Sequence, residues 1–239
     1  MSLIEVKSVS KAYDTKKVLD CVSLKVEKGE CFGILGHNGA GKTTLVESML
    51  GLRKYDEGKV TILNHDMSIR KKELFEQIGV QLQSSSYQAK IKVKELCKER
   101  SVLYQKDVSY EHLLEMFSLS DKKNQYIDSL SGGEKQKLSI LLAIMHDPEI
   151  IFLDELTTGL DAVARREIWK YLLTLKKSGK SIILTSHYMD EVEVLCDHIL
   201  ILKDGKELVS GTVKDVISQS PYENMEKAFL WYMGEEELI

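Results

Sequence analysis

A glycine-rich segment near the N-terminus has the residue types and spacing of a phosphate-binding loop. It reads Gly36-His37-Asn38-Gly39-Ala40-Gly41-Lys42-Thr43 and is followed by Thr44. Glycines allow the backbone to curl so that successive N–H groups face an anion. Lys42 can reach the β- and γ-phosphates of a nucleotide, and the Thr43 hydroxyl is a ligand that Mg²⁺ accepts. The segment therefore predicts nucleotide binding, with a simple glycine-rich turn as the alternative.

Two adjacent acidic residues follow a short apolar run later in the chain. Asp154 and Glu155 come directly after Ile150-Ile151-Phe152-Leu153. In open α/β sheets ligands bind at the carboxyl ends of the strands. We expect Asp154 to hold Mg²⁺, directly or through water, and Glu155 to orient and deprotonate an attacking water. Alone, this segment would be an ordinary strand with a solvated acidic turn, but its position downstream of the phosphate-binding loop favours the catalytic interpretation.

A second candidate anion site is Leu130-Ser131-Gly132-Gly133-Glu134, which opens a predicted helix running to about Met145. Two glycines expose backbone N–H groups at the helix start, where the helix dipole favours an anion. The simpler alternative is a serine N-cap with glycines that serve the turn. One nucleotide does not obviously need two anion-binding sites in the same chain. The presence of a second site is explained if it binds a different molecule.

Strands and helices alternate around these motifs. Residues 3–9 and 22–26 alternate apolar and polar residues, which predicts half-buried strands. Further strands are predicted at 31–35, 150–153, 181–186, 198–202 and 206–209, and helices at 42–50 and 162–177. Such alternation predicts a mainly parallel sheet. Residues 84–129 are dense in charge and have helical spacing, so we interpret them as a small helical lobe. The core would then comprise residues 1–83 and 130–212, and residues 213–239 would form a helical tail.

The composition of the chain limits the kinds of protein and of partner that fit it. The 239 residues suffice for one α/β domain with a smaller lobe, and 43% are hydrophobic and 29% charged. A net charge of −4 gives no basic excess, so no nucleic-acid partner is expected. The four cysteines have no metal-ligand spacing. We expect no signal peptide, and no apolar run approaches the ~18 residues of a membrane span, so any membrane role would come through a partner.

In their order along the chain, the three motifs resemble those of the nucleotide-binding subunits of ABC transporters, over about residues 3–212. The phosphate-binding loop matches the family's Walker A motif, residues 150–155 match Walker B, and residues 130–134 match the LSGGQ signature. The resemblance implies an ATPase with ATP and Mg²⁺ as cofactors. It also implies that two such subunits enclose two ATP molecules, with Ser131, Gly132 and Gly133 contacting the γ-phosphate in the partner. The expected fold is α/β, a P-loop NTPase core with a mainly parallel sheet, an N-terminal antiparallel β region and an inserted helical lobe.

The resemblance assigns further roles position by position. Tyr13 would stack on adenine, and Gln83 would touch Mg²⁺ and water at the hinge of the helical lobe, with Gln81 as the other candidate. Asp161, in Gly159-Leu160-Asp161, would cross the dimer interface. His187 would contact the γ-phosphate as the switch histidine.

Two residues depart from the family pattern, and neither removes a group that performs chemistry. Leu156 stands where proline commonly follows the catalytic glutamate, and would loosen the turn behind Glu155. Glu134 stands in place of the signature glutamine, and would add negative charge near a phosphate site.

Segments around Tyr188-Met189-Asp190-Glu191 and Thr157-Thr158-Gly159 look most like bacterial exporters of drugs, antibiotics or polysaccharides. The partners expected from this resemblance are a second copy of the chain or a homologous ATPase subunit, and a polytopic membrane permease. The expected location is cytoplasmic, on the inner face of the membrane. The rival class is a soluble ABC ATPase that moves no cargo.

The tail, residues 213–239, is either a terminal helix packed on its own domain or an interaction helix.

Overall fold

The computed structural model of the chain describes residues 2–69, 72–82, 90–104 and 109–235. An antiparallel sheet of four strands begins the fold, with the order β2-β1-β4-β5. Its strands are β1 (Ser2–Tyr13), β2 (Lys16–Glu27), β4 (Glu57–Ile62) and β5 (His65–Asp66). The alternating residues of the first two segments therefore do form strands, and both are longer than the pattern predicts.

A second sheet of six strands has the order β10-β9-β3-β8-β7-β6. Its strands are β3 (Cys31–Leu35), β6 (Ile78–Gln81), β7 (Ile150–Asp154), β8 (Ser181–Ser186), β9 (His198–Lys203) and β10 (Lys206–Thr212). The first five run parallel, and only β10 pairs antiparallel, with β9. The carboxyl ends of β3, β7 and β8 consequently meet at one edge of the sheet.

Helices cover this sheet and follow its strands along the chain. They are α1 (Lys42–Met49), α2 (Lys72–Phe75), α3 (Val93–Ser101), α4 (Glu111–Met116), α5 (Gly132–Ile144), α6 (Ala162–Lys177), α7 (Met189–Leu195), α8 (Val213–Ser218) and α9 (Met225–Met233). Short 3₁₀ turns occupy Ser120–Lys122 and Ile127–Ser129. Among the residues that the structure describes, none of the helices is long and apolar enough to cross a lipid bilayer.

Strand β7 shows why the central strands are continuously apolar. Ile150 and Phe152 lie in the core shared with the antiparallel sheet, whereas Ile151 and Leu153 lie in the core beneath α5 and α6. A parallel strand covered on both faces needs apolar side chains at every position. The predicted α/β class, with a mainly parallel sheet and an N-terminal antiparallel region, is confirmed.

The C-terminal helix α9 packs on its own chain. Met225 is fully buried in a cluster with residues of α7, α8 and β9, and Ala228 is also fully buried. The backbone N–H of Met225 donates to Glu193 at 2.6 Å, and Lys203 donates to the Met233 carbonyl at 2.6 Å. These contacts fix both ends of α9 to the parallel sheet and its helices.

Candidate functional site

The phosphate-binding loop connects the carboxyl end of β3 to the first residue of α1. Gly36, Gly39 and Gly41 in this loop have φ angles of 153°, 83° and 108°. A Cβ atom on Gly41 would lie 2.7 Å from the Val18 carbonyl oxygen. Positive φ values strain any residue with a Cβ, so both the conformation and the close approach require glycine here.

Lys42 is buried at the start of α1, with 4% of its side chain exposed. Its Nζ donates to the carbonyl oxygens of Gly36 and His37 at 2.9 and 3.3 Å. The same atom lies 3.4 Å from Glu155 Oε1. The Lys42 ammonium is thus held by two carbonyls and one carboxylate, beside the loop that would bind phosphates.

Asp154 ends β7 and is almost fully buried. Its Oδ2 accepts a hydrogen bond from the Thr43 hydroxyl at 3.1 Å, and its Oδ1 accepts one from the Thr185 hydroxyl at 2.5 Å. The backbone N–H of Glu155 donates to Thr185 Oγ1 at 2.9 Å. Thr185, which sequence reasoning missed, therefore joins the two acidic residues, because parallel pairing of β7 and β8 sets it opposite Asp154.

Glu155 adopts φ 49°, in the left-handed region, and its side chain is 10% exposed. The next residue, Leu156, is buried among apolar side chains of the core beneath α5 and α6. Its carbonyl accepts a hydrogen bond from Gln136 Nε2 of α5. Leu156 therefore anchors the turn behind Glu155 by packing, in contrast to the loosening expected from the missing proline.

An open cavity of about 290 Å³ lies over these groups. It is lined by Val18, Asn38, Gly39, Gly41, Lys42, Thr43, Thr44 and Glu155. Val18, at the end of the antiparallel sheet, was not predicted as a site residue. Tyr13 is not one of the lining residues. Its hydroxyl accepts from Arg53 at 2.5 Å, and the Arg53 and Lys11 cations lie 5.4 Å from its ring centroid.

The segment at residues 131–134 forms the capping box of α5. Ser131 Oγ accepts from the Glu134 N–H at 3.2 Å, and Glu134 Oε2 accepts from the Ser131 N–H at 2.8 Å. The backbone N–H of Ser131 and the Lys122 ammonium, 3.3 Å from Glu134 Oε1, hold the pKa of Glu134 below its ordinary value. The added negative charge of this residue is thus compensated within the chain.

Asp161 and His187 are not among the residues that line the cavity, and Gln83 lies outside the described part of the chain. Asp161 is the N-cap of α6, where its Oδ1 accepts from the N–H groups of Val163 and Ala164, both at 2.9 Å. His187 follows β8 directly and is exposed, with its ring 4.2 Å from that of Tyr188. The alternative to Gln83, Gln81, ends β6 and donates to the Leu82 carbonyl at 2.9 Å.

Comparison with known proteins identifies the family of the chain. The model of the ABC transporter family matches residues 19–158. The Nod factor export ATP-binding protein I of Rhizobium etli is 37% identical over 228 residues, which are 92% of this chain and 71% of that protein.

Two solved structures share the fold along nearly the whole chain. An ATP-binding subunit of an ABC transporter superposes with a TM-score of 0.86 at 25% identity, covering 97% of this chain and 99% of that one. A dimeric ATP-binding cassette in a post-hydrolysis state with ADP and phosphate superposes with a TM-score of 0.78 at 26% identity, covering 87% and 98%.

A glycine-rich loop between a parallel strand and a helix, with a buried lysine, a threonine and two acids at the same sheet edge, defines a P-loop nucleotide-binding domain. The family match and the relatives narrow the class further. The chain belongs to the ABC transporter family. It is an ATP-binding cassette, the ATPase subunit of a transporter.

Proposed function

We propose that the chain binds MgATP in the cavity over residues 36–44 and hydrolyses it between two cassettes, to power export by a separate membrane subunit. The observation that carries the proposal is the convergence of Lys42 and Glu155, from two separate stretches of the chain, on one cavity, with Asp154 accepting a hydrogen bond from Thr43 beside it. The groups that would bind the triphosphate and activate water are thus brought together by the fold.

The residues beside the cavity fit a magnesium ion. The Thr43 hydroxyl and the Asp154 carboxylate are oxygen donors 3.1 Å apart, and Mg²⁺ is bound by oxygen, usually through one or two carboxylates and substrate phosphates. Thr43 and Asp154 would hold the ion, with Gln83 as a third group. When bound, the ion would neutralise charge on the β- and γ-phosphates.

Glu155 is the group suited to accept a proton from water. Its carboxylate lies beside Lys42, whose Nζ would move from the loop carbonyls to the β- and γ-phosphates as the nucleotide enters. Thr185 holds the backbone N–H of Glu155 and so fixes the start of the turn. Tyr13 would stack on adenine, and His187 would contact the γ-phosphate after its ring leaves Tyr188.

The second half of each site would come from a partner cassette, either a second copy of this chain or a homologous subunit. Ser131 and Gly132 are exposed, and together with Gly133 and Asp161 they would face the partner's ATP. The relative from Rhizobium etli is named for export, and a solved relative is dimeric, which supports both parts of the proposal. Cargo specificity would belong to a polytopic membrane subunit that holds the cassette at the inner face of the membrane.

The test compares two substitutions at neighbouring acids. Glu155→Gln keeps the shape but cannot take the proton, so we expect kcat to fall by about 10²–10⁴-fold, or about 3–5 kcal/mol of barrier. ATP affinity should be kept or raised, because a negative charge beside the γ-phosphate is removed. The ATP-bound dimer should accumulate on size exclusion with MgATP.

Asp154→Asn is the matched variant, since it should weaken MgATP binding as well as turnover. Calorimetric titration with MgATP separates the two effects. Hydrolysis by Glu155→Gln within about threefold of the unaltered chain, a difference of about 0.7 kcal/mol, would show that Glu155 is not the base.

A further inference from the structure

The segment that carries His187 is held from one side by a side chain of α6. Arg165 of that helix lies over the Tyr188 ring, with its Cζ 4.6 Å from the ring centroid. Its Nη1 also lies 3.7 Å from Asp190 Oδ2. Tyr188 in turn packs on the imidazole of His187, with 4.2 Å between ring centroids. A single guanidinium therefore contacts the residue on which His187 rests.

A second contact joins the same two parts of the chain in the protein interior. Glu191, in the first turn of α7, is 3% exposed. Its Oε1 accepts from Trp169 Nε1 of α6 at 3.0 Å, and its Oε2 accepts from the Ser186 hydroxyl at 2.5 Å. Ser186 is the residue before His187. Burial raises the pKa of Glu191, while the hydrogen bonds from Ser186 and Trp169 oppose that shift.

Both contacts are made by side chains on one face of α6. Arg165 and Trp169 are four residues apart on α6, and residues at this spacing lie above one another on a helix surface. The N-cap of the same helix is Asp161, fixed by two backbone N–H groups. The 16 residues of α6 thus link the residue proposed to face the partner cassette with the segment that carries His187.

We propose that Arg165 and the Trp169–Glu191 pair are positioning residues that set the placement of His187 according to the placement of α6. The inference rests on the proposed roles of His187 and Asp161. When a partner cassette contacts Asp161, a shift of α6 changes the contact of Arg165 with Tyr188, and His187 leaves the Tyr188 ring for the γ-phosphate. Arg165 touches neither nucleotide nor water in this account.

Turnover in two backgrounds tests the inference. Arg165→Ala in the full-length chain should lower kcat by about three- to thirtyfold, a loss within the range of coupling between residues in contact, with MgATP affinity of the monomer unchanged. In a His187→Ala background the same substitution should lower the residual single-turnover rate by less than about twofold, because the residue through which it acts is absent. Arg166→Ala is the matched control, since it removes the same charge from the adjacent, exposed position of α6 and should leave kcat unchanged.

Trp169→Phe supplies an independent variant, because it keeps an aromatic ring in the core but removes the N–H donor to Glu191. It should also lower kcat with ATP affinity retained, and this loss should likewise disappear in the His187→Ala background. Arg165→Lys should restore part of the rate, because it keeps the charge near Asp190. Circular dichroism checks that each variant is folded.

Two outcomes would overturn this inference and leave the proposed function intact. One is an equal rate loss from Arg165→Ala in both backgrounds. The other is a rate for Arg165→Ala no different from that for Arg166→Ala. A His187→Ala chain that keeps kcat within about threefold of the unaltered chain would instead overturn the switch role of His187, and the inference with it.

Discussion

Two segments of this chain place glycines at the N-terminus of a helix, and they do so in opposite surroundings. The loop at residues 36–41 leads into α1, and its Lys42 is buried among carbonyls of its own chain. The segment at residues 131–134 leads into α5 at the surface, where Ser131 and Gly132 are exposed. Its first turn carries an acid, Glu134, where the first turn of α1 begins with a lysine.

The glycines of the two segments differ in whether their own chain leaves room for a Cβ atom. A Cβ on Gly36 would lie 2.5 Å from the Leu202 carbonyl oxygen, and one on Gly41 would lie 2.7 Å from that of Val18. A Cβ on Gly132 would meet only Leu160 at 3.9 Å, and one on Gly133 would meet Ala164 at 3.4 Å, both ordinary contacts. The chain itself requires glycine in the first segment but tolerates a side chain in the second. A need for glycine at 132 and 133 would therefore come from a molecule outside this chain.

Substitution of the lysine that accompanies each segment, Lys42 for the first and Lys122 for the second, should give the largest contrast. Lys42→Ala removes a buried cation that would make charge-assisted hydrogen bonds to phosphate, worth about 1.5–3 kcal/mol, so MgATP affinity should fall about 10- to 150-fold. Lys122→Ala, which removes the cation beside Glu134, should leave the affinity of the monomer unchanged. Titration calorimetry, with circular dichroism to check the fold, makes the comparison. Equal affinity for Lys42→Ala and the unaltered chain would refute the assignment of the phosphate-binding loop.

Replacing one glycine of each segment with alanine should separate an effect on the free energy of unfolding from an effect on dimer assembly. Gly41→Ala forces a Cβ into φ 108° and should cost about 1–3 kcal/mol of unfolding free energy. Gly132→Ala lies at the start of α5 and should leave stability unchanged or raise it by up to about 1 kcal/mol. In the Glu155→Gln background, however, Gly132→Ala should prevent the dimer that MgATP induces. Urea unfolding and light scattering measure the two effects, and a Gly132→Ala chain that dimerises normally would speak against contact with a partner's nucleotide.

Glu134→Gln should have the smallest effect. Glutamine can keep the capping box, so the loss is mainly the half-exposed pair with Lys122, worth at most about 1 kcal/mol. Because the folded-state pKa of Glu134 is lowered, its contribution to stability is present above the unfolded-state pKa and is lost as the pH falls through the folded-state pKa. Urea unfolding of both chains from about pH 7 down to about pH 3 should show the difference between them shrinking. A difference that grows on acidification would contradict this.

The sequence predicts the elements that carry the site better than it predicts their contacts. Buried strands such as Ile150–Asp154 are visible because parallel strands covered on both faces are continuously apolar. Strand β4, Glu57–Ile62, was missed because only two of its six residues are buried and Gly58 interrupts the pattern. The sequence predicts Asp154 and Glu155 at the carboxyl end of a strand and Lys42 at the end of the phosphate-binding loop, and the structure sets Glu155 beside Lys42 and Asp154 beside Thr43.

Contacts that depend on register between distant segments could not be predicted. Thr185 lies 31 residues from Asp154, and only the pairing of β7 with β8 brings their side chains together. Glu191 follows Asp190 in a sequence typical of an exposed helix, yet it is buried and accepts hydrogen bonds from the distant Trp169 and from Ser186. The Tyr188 ring, on which His187 packs, likewise lies under Arg165 of α6, a contact that the local sequence does not show.

The central claim is that the two anion-binding segments act together across two chains, and a crosslink between them tests it most directly. Asn38 and Ser131 are both exposed, and each can be replaced by cysteine in a Glu155→Gln chain whose exposed Cys21 has been changed to serine. Chains with cysteine at 38 only and chains with cysteine at 131 only are mixed and oxidised with and without MgATP. The account predicts a covalent heterodimer that forms only with MgATP, and no crosslink when either chain is oxidised alone. If the mixture stays monomeric, and a single chain carrying both cysteines instead closes an internal disulfide with MgATP, the two segments act within one chain and the account is contradicted.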